Sequence, residues 1–285
     1  MIMDFSNIAC FGIAGNFTGH LEQAGEAKDF VNVRTSEEKA PKAIFPTFIP
    51  GNENNFCPDF LHTFPFSSDR IELTKEIQRS KLEQNFQIEP ECAIIFDAKW
   101  QDDKVISLKP LCFGASNDCS IRREGAKKIS MKKNWGCNSK GFSDNTIELS
   151  DFTQNSIIHD YRIASFLIRD GVFSYGEDSA IRDYSYIYEK LVSWIIDKLN
   201  NQKDEGPAEN IHEYLLEAGK PNKLFISIGA TRYTEFGKTN FLKSGDTSVV
   251  VLYPESRYTN NDIRQMVENA DFSKKDISFL VQKII

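Results

Sequence analysis

Two glutamates and an aspartate have the types and spacing that favour metal binding. Glu89 and Glu91 open the segment EPECAIIF, and Asp118 follows in FGASNDCSIRRE. In an extended strand, residues two apart point to the same face, and the apolar run after Glu91 indicates that this strand is buried. Carboxylates without a counter-charge at the start of this buried strand would cost free energy, and a hard divalent cation bound by the three residues would offset that cost. An exposed pair of glutamates at a strand start is the alternative that the residues leave open.

Strands dominate the pattern along the chain. They are predicted at residues 8–15, 91–97, 105–115, 163–169, 224–229 and 248–253. Helices are predicted over 184–200, whose apolar residues form one stripe, and over 208–218, which ends before Gly219. No alternation of strands and helices is present, and GIAGNFTG lacks the G-x-G-x-x-G pattern, so a dinucleotide-binding fold is rejected.

Composition and charge limit the classes of function. The formal net charge of −7 over 285 residues argues against general affinity for nucleic acid or anionic membrane. The chain start lacks a basic n-region, and IACFGIAG is short and broken by glycine, so neither a signal peptide nor a membrane span is predicted. The six cysteines show no C-x-x-C spacing, which favours free thiols and a cytoplasmic protein over a zinc site or a disulfide framework.

Five short motifs follow one another over residues 8–253. They are GIAGNFTGH, EPECAIIF, GASNDCSIRR, Trp135 with Lys140-Gly141-Phe142, and FISIGA followed by FLKSGDTSVVV. In this order they resemble the motifs G-x-N-Y-x-x-H, E-x-E-L-A-x-V-I, G-Y-T-x-x-N-D-x-S-x-R-D, W…K-x-F-D and T-G-T-P…F-L-x-x-G-D-x-V of the fumarylacetoacetate hydrolase superfamily. Members of that superfamily include acylpyruvate hydrolases, related decarboxylases and hydratases.

The resemblance implies a fold, a domain organisation and an assembly. The expected fold is α+β, a single mixed β-sheet roll of the type formed by the C-terminal domain of fumarylacetoacetate hydrolase. The expected organisation is a domain over 1–253 and a C-terminal extension, 254–285, packed on it. Most relatives are homodimers, and the aromatic segments FPTFIP and FCPDFLHTFPF offer apolar surface that a partner could bury. A homodimer is therefore expected.

The resemblance also implies a catalytic base. His20 matches the histidine that orients or deprotonates the attacking water, and an imidazole can act as a base at neutral pH. The family has a glutamate three residues later, where this chain has Gln23, so the local dyad is broken. Some members supply a carboxylate six residues after the glycine of T-G-T-P, and Glu235 stands six residues after Gly229. Glu235 is therefore predicted to orient His20, and a surface or core role without chemistry is the alternative for His20.

Further site residues follow from the same resemblance. The ion on Glu89, Glu91 and Asp118 would be Mg²⁺, or Mn²⁺ or Ca²⁺. Lys140 matches the lysine that reaches substrate or metal-bound water, and Ala230 lacks the hydroxyl of the family's threonine. The residues expected to bind substrate are Asn16, Phe17, Arg122 and Thr231. For Arg122, a structural ion pair is the alternative.

A basic stretch precedes Lys140 in the chain. Its members are Arg122, Arg123, Lys127, Lys128, Lys132 and Lys133. Such a stretch is usually a solvated face of a loop. Close to a metal it would instead attract a dicarboxylate or an oxo-acid.

Two functions of different classes follow. The first is a metal-dependent hydrolase that cleaves a C–C bond of an acylpyruvate-like oxo-acid, with a metal-stabilised enolate and water activated by His20. A decarboxylase or an isomerase of the same superfamily would be a variant of it. The second is a pseudoenzyme that keeps the fold and only binds a ligand. The features that separate them are Gln23 and Ala230. If Glu235 reaches His20, the dyad is rebuilt and the enzyme is favoured; if no carboxylate reaches His20, the ligand-binding protein is favoured.

Overall fold

A computed structural model describes residues 7–25, 30, 35, 37–51, 57–73, 85–122 and 126–285. Strands are the main element in these residues and the helices are short, so the predicted α+β class is confirmed. The strands are β1 (Ile8–Ala14), β2 (Ala43–Phe48), β3 (Phe66–Ser67), β4 (Arg70–Ile71), β5 (Asn85–Gln87), β6 (Pro90–Gln101), β7 (Lys104–Asn117), β8 (Ser120–Arg122), β9 (Lys140–Phe142), β10 (Ile147–Glu148), β11 (Tyr161–Arg169), β12 (Gly171–Ser174), β13 (Ser179–Ala180), β14 (Lys223–Ala230), β15 (Thr247–Pro254) and β16 (Ser278–Ile284). The helices are α1 (His20–Gln23), α2 (Tyr188–Asn201), α3 (Ile211–Glu217), α4 (Glu235–Thr239) and α5 (Asn260–Glu268).

The strands of the mixed-sheet roll are distributed over two larger sheets and a ribbon. One sheet has eight strands in the order β2-β1-β14-β6-β7-β9-β3, with β10 paired to β7. The other has six, in the order β12-β11-β15-β16-β4 with β13 paired to β11, and β5 pairs with β8 in the ribbon. The pairs β1–β14, β3–β9 and β4–β16 are parallel. The largest apolar cluster contains Ile94 and Phe113 from the first sheet and Ile163 and Leu252 from the second, so the two sheets share one core.

The hairpin of β6 and β7 determines where the acidic residues meet. β6 is buried from Pro90 to Phe96 on both faces, as expected for a strand covered on both sides. The hairpin has two register shifts along its length, and at its open end Pro90 pairs with Asn117. Glu89 and Asp118, the next residues outward on each strand, are therefore neighbours across the hairpin.

The predicted helices pack on this framework. α2 buries Leu191, Ile195 and Leu199, which recur every four residues on one face, as the apolar stripe predicts. The three side chains belong to the shared core of the sheets. After α3, Gly219 adopts a φ of 74°, the left-handed conformation that glycine tolerates best, so the predicted helix stop is confirmed.

The extension 254–285 contributes a strand to the smaller sheet. α5 begins with a capping box in which Thr259 and Asp262 each bond the backbone of the other. β16 then pairs antiparallel with β15 and parallel with β4. Because β4 joins this sheet only through β16, the extension is structurally continuous with the rest of the described chain.

The cysteines are unbridged and the helices are short. All six cysteines are unbridged, and Cys137 alone is exposed, so the predicted free thiols are confirmed. Cys119, next to Asp118, is buried, and burial raises the pKa of its thiol to about 12. Within the described residues, no helix has the length and apolar character needed to cross a bilayer.

Candidate metal centre and active site

The open end of the β6–β7 hairpin brings the three predicted metal ligands together. The Asp118 N–H donates to the Glu89 carbonyl at 3.0 Å. One carboxylate oxygen from each of Glu89, Glu91 and Asp118 lies within 4.8 Å of the others. The three residues are 3%, 1% and 2% exposed. The predicted convergence of the three carboxylates is therefore confirmed.

Buried amides brace the hairpin end. Asn117 Oδ1 accepts from the Glu89 N–H at 3.2 Å, and Asn117 Nδ2 donates to Gln282 Oε1 at 3.1 Å. Gln282 Nε2 in turn donates to the Lys140 carbonyl at 3.2 Å. A residue of the C-terminal strand thus supports the backbone on which the acidic cluster is built.

A glycine holds the third carboxylate. The Gly229 N–H donates to Glu91 Oε2 at 2.9 Å, beside a register shift where β14 leaves its pairing with β6. Gly229 has a φ of 118°, and a Cβ there would lie 3.1 Å from the Asn16 Cβ. Only glycine adopts this conformation readily, so it allows the backbone N–H to face Glu91.

Three basic side chains neutralise the cluster. Lys133 Nζ lies 2.6 Å from Glu89 Oε2 and 2.6 Å from Asp118 Oδ2, bridging the two carboxylates. Lys140 Nζ lies 2.8 Å from Asp118 Oδ1, and Arg122 Nη2 lies 2.7 Å from Glu89 Oε1. The lysine side chains are 3% and 0% exposed. Glu89 and Asp118 therefore have counter-ions without a metal, which Arg122, Lys133 and Lys140 supply.

The surrounding charges shift the pKa values of the two glutamates in opposite directions. Burial raises the pKa of Glu89, but the positive charges around it, Lys133 first, outweigh burial and hold that pKa well below its ordinary value. Burial also raises the pKa of Glu91, and repulsion from the other two carboxylates raises it further. The surroundings therefore favour the ionised form of Glu89 and disfavour the ionised form of Glu91.

The donor set fits a hard divalent cation. Carboxylate oxygens are the ligands that Mg²⁺ and Ca²⁺ prefer. Among the described residues, Glu89 Oε1 and Asp118 Oδ2 have no partner with hydrogen-bond geometry, although a basic side chain contacts each. These buried oxygens are acceptors that a cation would satisfy. The Lys133 ammonium lies against two of the three carboxylates, so it takes space next to any ion bound there.

A small cleft opens onto one side of the cluster. Its empty volume is about 270 Å³, including the open mouth. The polar side chains that line it are His20, Glu89, Glu91 and Lys133. The other lining residues are Ile13, Ala14, Gly15, Leu21, Phe45, Ile129 and Ala230. The candidate base and two candidate metal ligands therefore face the same space.

His20 is held in one tautomer by a backbone carbonyl. Its Nδ1 lies 2.8 Å from the Thr231 oxygen. A carbonyl oxygen only accepts, so Nδ1 carries the hydrogen and Nε2 carries the lone pair of the neutral ring. The charge of His20 also helps to lower the pKa of Glu89, so a protonated ring and the Glu89 carboxylate attract each other.

The carboxylate predicted to orient His20 lies elsewhere. Glu235 is the first residue of α4, its side chain is 91% exposed, and it pairs with Lys238 at 2.5 Å. The prediction that Glu235 orients the imidazole is therefore wrong. The start of α4 directs Glu235 to solvent, and the Thr231 carbonyl takes the position at Nδ1.

Two more predicted residues have structural rather than chemical contacts. Lys140 is not among the residues that line the cleft, and its ammonium contacts Asp118 and the Cys119 carbonyl. Asn16 Nδ2 donates to the carbonyls of Tyr186 and Ile228, which uses both of its N–H groups. The predictions of a catalytic Lys140 and a substrate-binding Asn16 are corrected accordingly.

The remaining predicted residues are Phe17, Thr231 and Arg122, and none of them is among the residues that line the cleft. Phe17 packs edge-on against Tyr184, with ring centroids 5.2 Å apart. Thr231 is fully buried, and among the described residues its Oγ1 has no hydrogen-bond partner. Arg122 forms the ion pair with Glu89 that was the structural alternative. Contact of these residues with a substrate stays a prediction.

Two residues of the site escape sequence reasoning. Lys133 belongs to a stretch that is typical of a solvated loop, and no spacing distinguishes it from its neighbours; Arg123 of that stretch lies outside the described residues. Tyr233 has no motif, yet its hydroxyl accepts from Arg122 Nη2 at 2.7 Å. Gln23 Oε1 accepts from the Tyr233 N–H at 2.7 Å, so the glutamine that replaces the family's glutamate holds this segment instead of the imidazole.

Comparison with solved structures shows which fold the chain shares. The crystal structure of Cg1458 with inhibitor has a TM-score of 0.53 and 14% identity, covering 97% of this chain and 76% of that chain. 2-Keto-3-deoxy-D-arabinonate dehydratase complexed with magnesium and 2,5-dioxopentanoate has a TM-score of 0.52 and 15% identity, covering 98% of this chain and 73% of that chain. A putative HpcE protein from Mycobacterium smegmatis has a TM-score of 0.53 and 12% identity, covering 97% of this chain and 74% of that chain. The chain thus shares the fold of these structures, which agrees with the α+β mixed-sheet roll that the motif resemblance implies.

Comparison of sequences gives the family. No curated protein matches the chain. One family model matches residues 26–284, a range that contains the acidic cluster and Lys133 and begins after His20. The chain therefore belongs to DUF5718, a family of unknown function.

Proposed function

We propose that the protein is a metal-dependent enzyme acting on an oxo-acid, and that it hydrolyses a C–C bond of an acylpyruvate. The observation that carries this proposal is that His20, Glu89 and Glu91 line one cleft, so a candidate base and two candidate metal ligands face the same space. Mg²⁺ is the proposed ion, with Mn²⁺ or Ca²⁺ as alternatives, since all donors are carboxylate oxygens. The neighbour bound to magnesium and 2,5-dioxopentanoate is consistent with a ligand of this class.

The reaction requires a charge acceptor and a base. A divalent cation on Glu89, Glu91 and Asp118 would polarise the carbonyl of the oxo-acid and stabilise enolate charge. His20 Nε2 takes a proton from water, while the Thr231 carbonyl holds Nδ1–H in the required tautomer. The water oxygen bonds to the acyl carbon, the C–C bond breaks, and the pyruvate half leaves as an enolate that takes up a proton. The nearby Glu89 carboxylate stabilises the imidazolium that forms.

A protein that binds an oxo-acid without turning it over is the second candidate. It is favoured by the partner of His20 Nδ1, which is a carbonyl oxygen instead of a carboxylate. It is also favoured by the Lys133 ammonium, which already neutralises two of the carboxylates. A decarboxylase or an isomerase would use the same cleft, because each of these reactions passes through enolate-like charge.

Turnover assays separate these candidates. We expect the metal-free protein to be inactive and Mg²⁺ or Mn²⁺ to restore hydrolysis of at least one member of a panel of acylpyruvates, with EDTA abolishing it. Turnover of oxaloacetate alone would identify a decarboxylase. Tight calorimetric binding without turnover of any compound would support the ligand-binding protein. Neither binding nor turnover across the panel would contradict the proposal.

We also propose a cytoplasmic homodimer. The unbridged cysteines support a reducing compartment. Half-buried Phe64 and Phe66 pack on the second apolar face of the eight-stranded sheet, where a partner could cover them. Light scattering is expected to give twice the chain mass of 32.5 kDa, and a monomer at micromolar concentration would contradict the dimer.

A further inference from the structure

We propose that Lys133 is the resident counter-ion of the acidic cluster, and that a divalent cation binds only by displacing its ammonium group. This proposal rests on the metal site of the proposed function and concerns how that site is regulated. Lys133 directly follows the 3₁₀ turn Ser130–Lys132, and its side chain extends into the cluster. Its Nζ lies 2.6 Å from Glu89 Oε2 and 2.6 Å from Asp118 Oδ2.

The ammonium and a metal would compete for the same oxygens. A hard cation approaches its carboxylate ligands to about 2.0–2.6 Å, which is also the range of the Lys133 contacts. An ion held by Glu89, Glu91 and Asp118 would therefore lie next to Nζ. Two positive charges at such a separation in a buried site repel strongly, since little water screens them. Joint occupancy is disfavoured for this reason.

The other two basic groups are placed to stay when Lys133 leaves. Glu89 keeps Arg122 at 2.7 Å, and Asp118 keeps Lys140 at 2.8 Å. Neither Arg122 nor Lys140 lines the cleft, whereas Lys133 does. The basic groups thus divide into two that support the carboxylates from behind and one that faces the space through which an ion enters.

The cleft provides a place for the displaced ammonium. Lysine has a flexible four-carbon stem, so its head group can move by several ångströms without a change in the backbone. Lys133 Nζ lies 5.2 Å from the centroid of the Phe45 ring, another residue of the cleft wall. On leaving the carboxylates, the ammonium would add positive charge to the cleft, where the carboxylate of an oxo-acid would bind. Metal binding would then prepare the cleft for its anionic ligand.

Calorimetric titration of the full-length, metal-free protein with Mg²⁺ and with Mn²⁺ tests the displacement. We expect Lys133→Met to bind each ion at least about tenfold more tightly than the wild type, or ~1.4 kcal/mol. Lys133→Arg, which keeps a positive charge, should stay as weak as the wild type. Lys128→Met is the matched control, because its ammonium bonds Asp204 and the Ala208 carbonyl instead of the cluster. It removes the same charge and should leave the affinity unchanged.

Each other outcome overturns the proposal in a recognisable way. Equal, tight affinity in the wild type and Lys133→Met would overturn the displacement and leave the metal site of the proposed function intact. Equal tightening in Lys128→Met would show an effect of net charge alone. No binding by any variant would overturn both the displacement and the metal site. If Lys133→Met does not fold, Lys133→Gln keeps a donor in the cluster, and a Mg²⁺-induced rise in Tm no larger than that of the wild type would overturn the displacement.

Discussion

Asp118→Asn is expected to lower the free energy of unfolding by about 3–5 kcal/mol, the usual cost of removing one partner from a buried ion pair. Asp118 is 2% exposed, and two ammonium groups contact it, Lys133 at 2.6 Å and Lys140 at 2.8 Å. Asparagine can still accept a hydrogen bond but carries no charge. Two buried cations would then share the remaining carboxylates. Urea unfolding followed by circular dichroism measures the loss.

A matched substitution on the same hairpin distinguishes burial from charge removal. Asp97 pairs with Lys223 at 2.8 Å, and its side chain is 46% exposed. Solvent weakens such a pair, so Asp97→Asn should cost no more than about 1 kcal/mol. Similar losses for Asp97→Asn and Asp118→Asn would contradict a buried charge network at the hairpin end.

Glu91→Gln should stabilise the folded state, whereas Asp118→Asn destabilises it, and the gain should depend on pH. The pKa of Glu91 is raised well above its ordinary 4.5 by burial and by the neighbouring carboxylates, so between pH 4.5 and that raised pKa the folded state holds a proton that the unfolded state has released. Stability is therefore lost as pH rises from 4.5 through the folded pKa. Glutamine removes this loss and can still accept from the Gly229 N–H. The stability of Glu91→Gln relative to the wild type should grow with pH, and a fall would contradict the raised pKa.

Periodicity and local motifs predict the framework of the site. The apolar run after Glu91 indicates a buried strand, and the following run indicates its partner, so the hairpin is a short-range feature. Antiparallel pairing then places Glu89 beside Asp118. The convergence of the three carboxylates was predictable for this reason, because it depends on residues fewer than thirty positions apart in one hairpin.

Contacts between distant segments were beyond the same reasoning. Lys133 reaches Glu89 from a loop 44 positions away, and His20 meets the Thr231 carbonyl across 211 positions. Nothing in the local pattern distinguishes a lysine that enters the core from one that stays in solvent, since both occur in basic loops. The prediction that Glu235 orients His20 was wrong for a similar reason. A spacing of six residues from Gly229 does not determine the path of the backbone between them, and so does not determine where the side chain points. The capped start of α4 directs that carboxylate outward.

His20→Asn is expected to lower kcat for the acylpyruvate that the protein hydrolyses by about 10²–10⁴-fold, the range for loss of a general base. Asparagine can donate its amide N–H to the Thr231 carbonyl, as Nδ1 does at 2.8 Å, but it has no group that accepts a proton at neutral pH. Metal affinity and Tm should therefore stay close to those of the wild type. The effect should fall on kcat more than on KM, because the base acts in the chemical step.

The control for this variant is Glu235→Gln, which removes the carboxylate that the resemblance offers as a partner for His20. Its side chain is 91% exposed and bonded to Lys238, so we expect kcat within about twofold of the wild type. If Glu235→Gln lost activity and His20→Asn kept it, the assignment of the base would be wrong. If His20→Asn instead lowered Tm and metal affinity together with kcat, His20 would be a structural support of the cluster. A loss confined to kcat would show that the imidazole itself acts in the chemical step. We expect this result because the Thr231 carbonyl holds the ring and the ring faces the same cleft as Glu89.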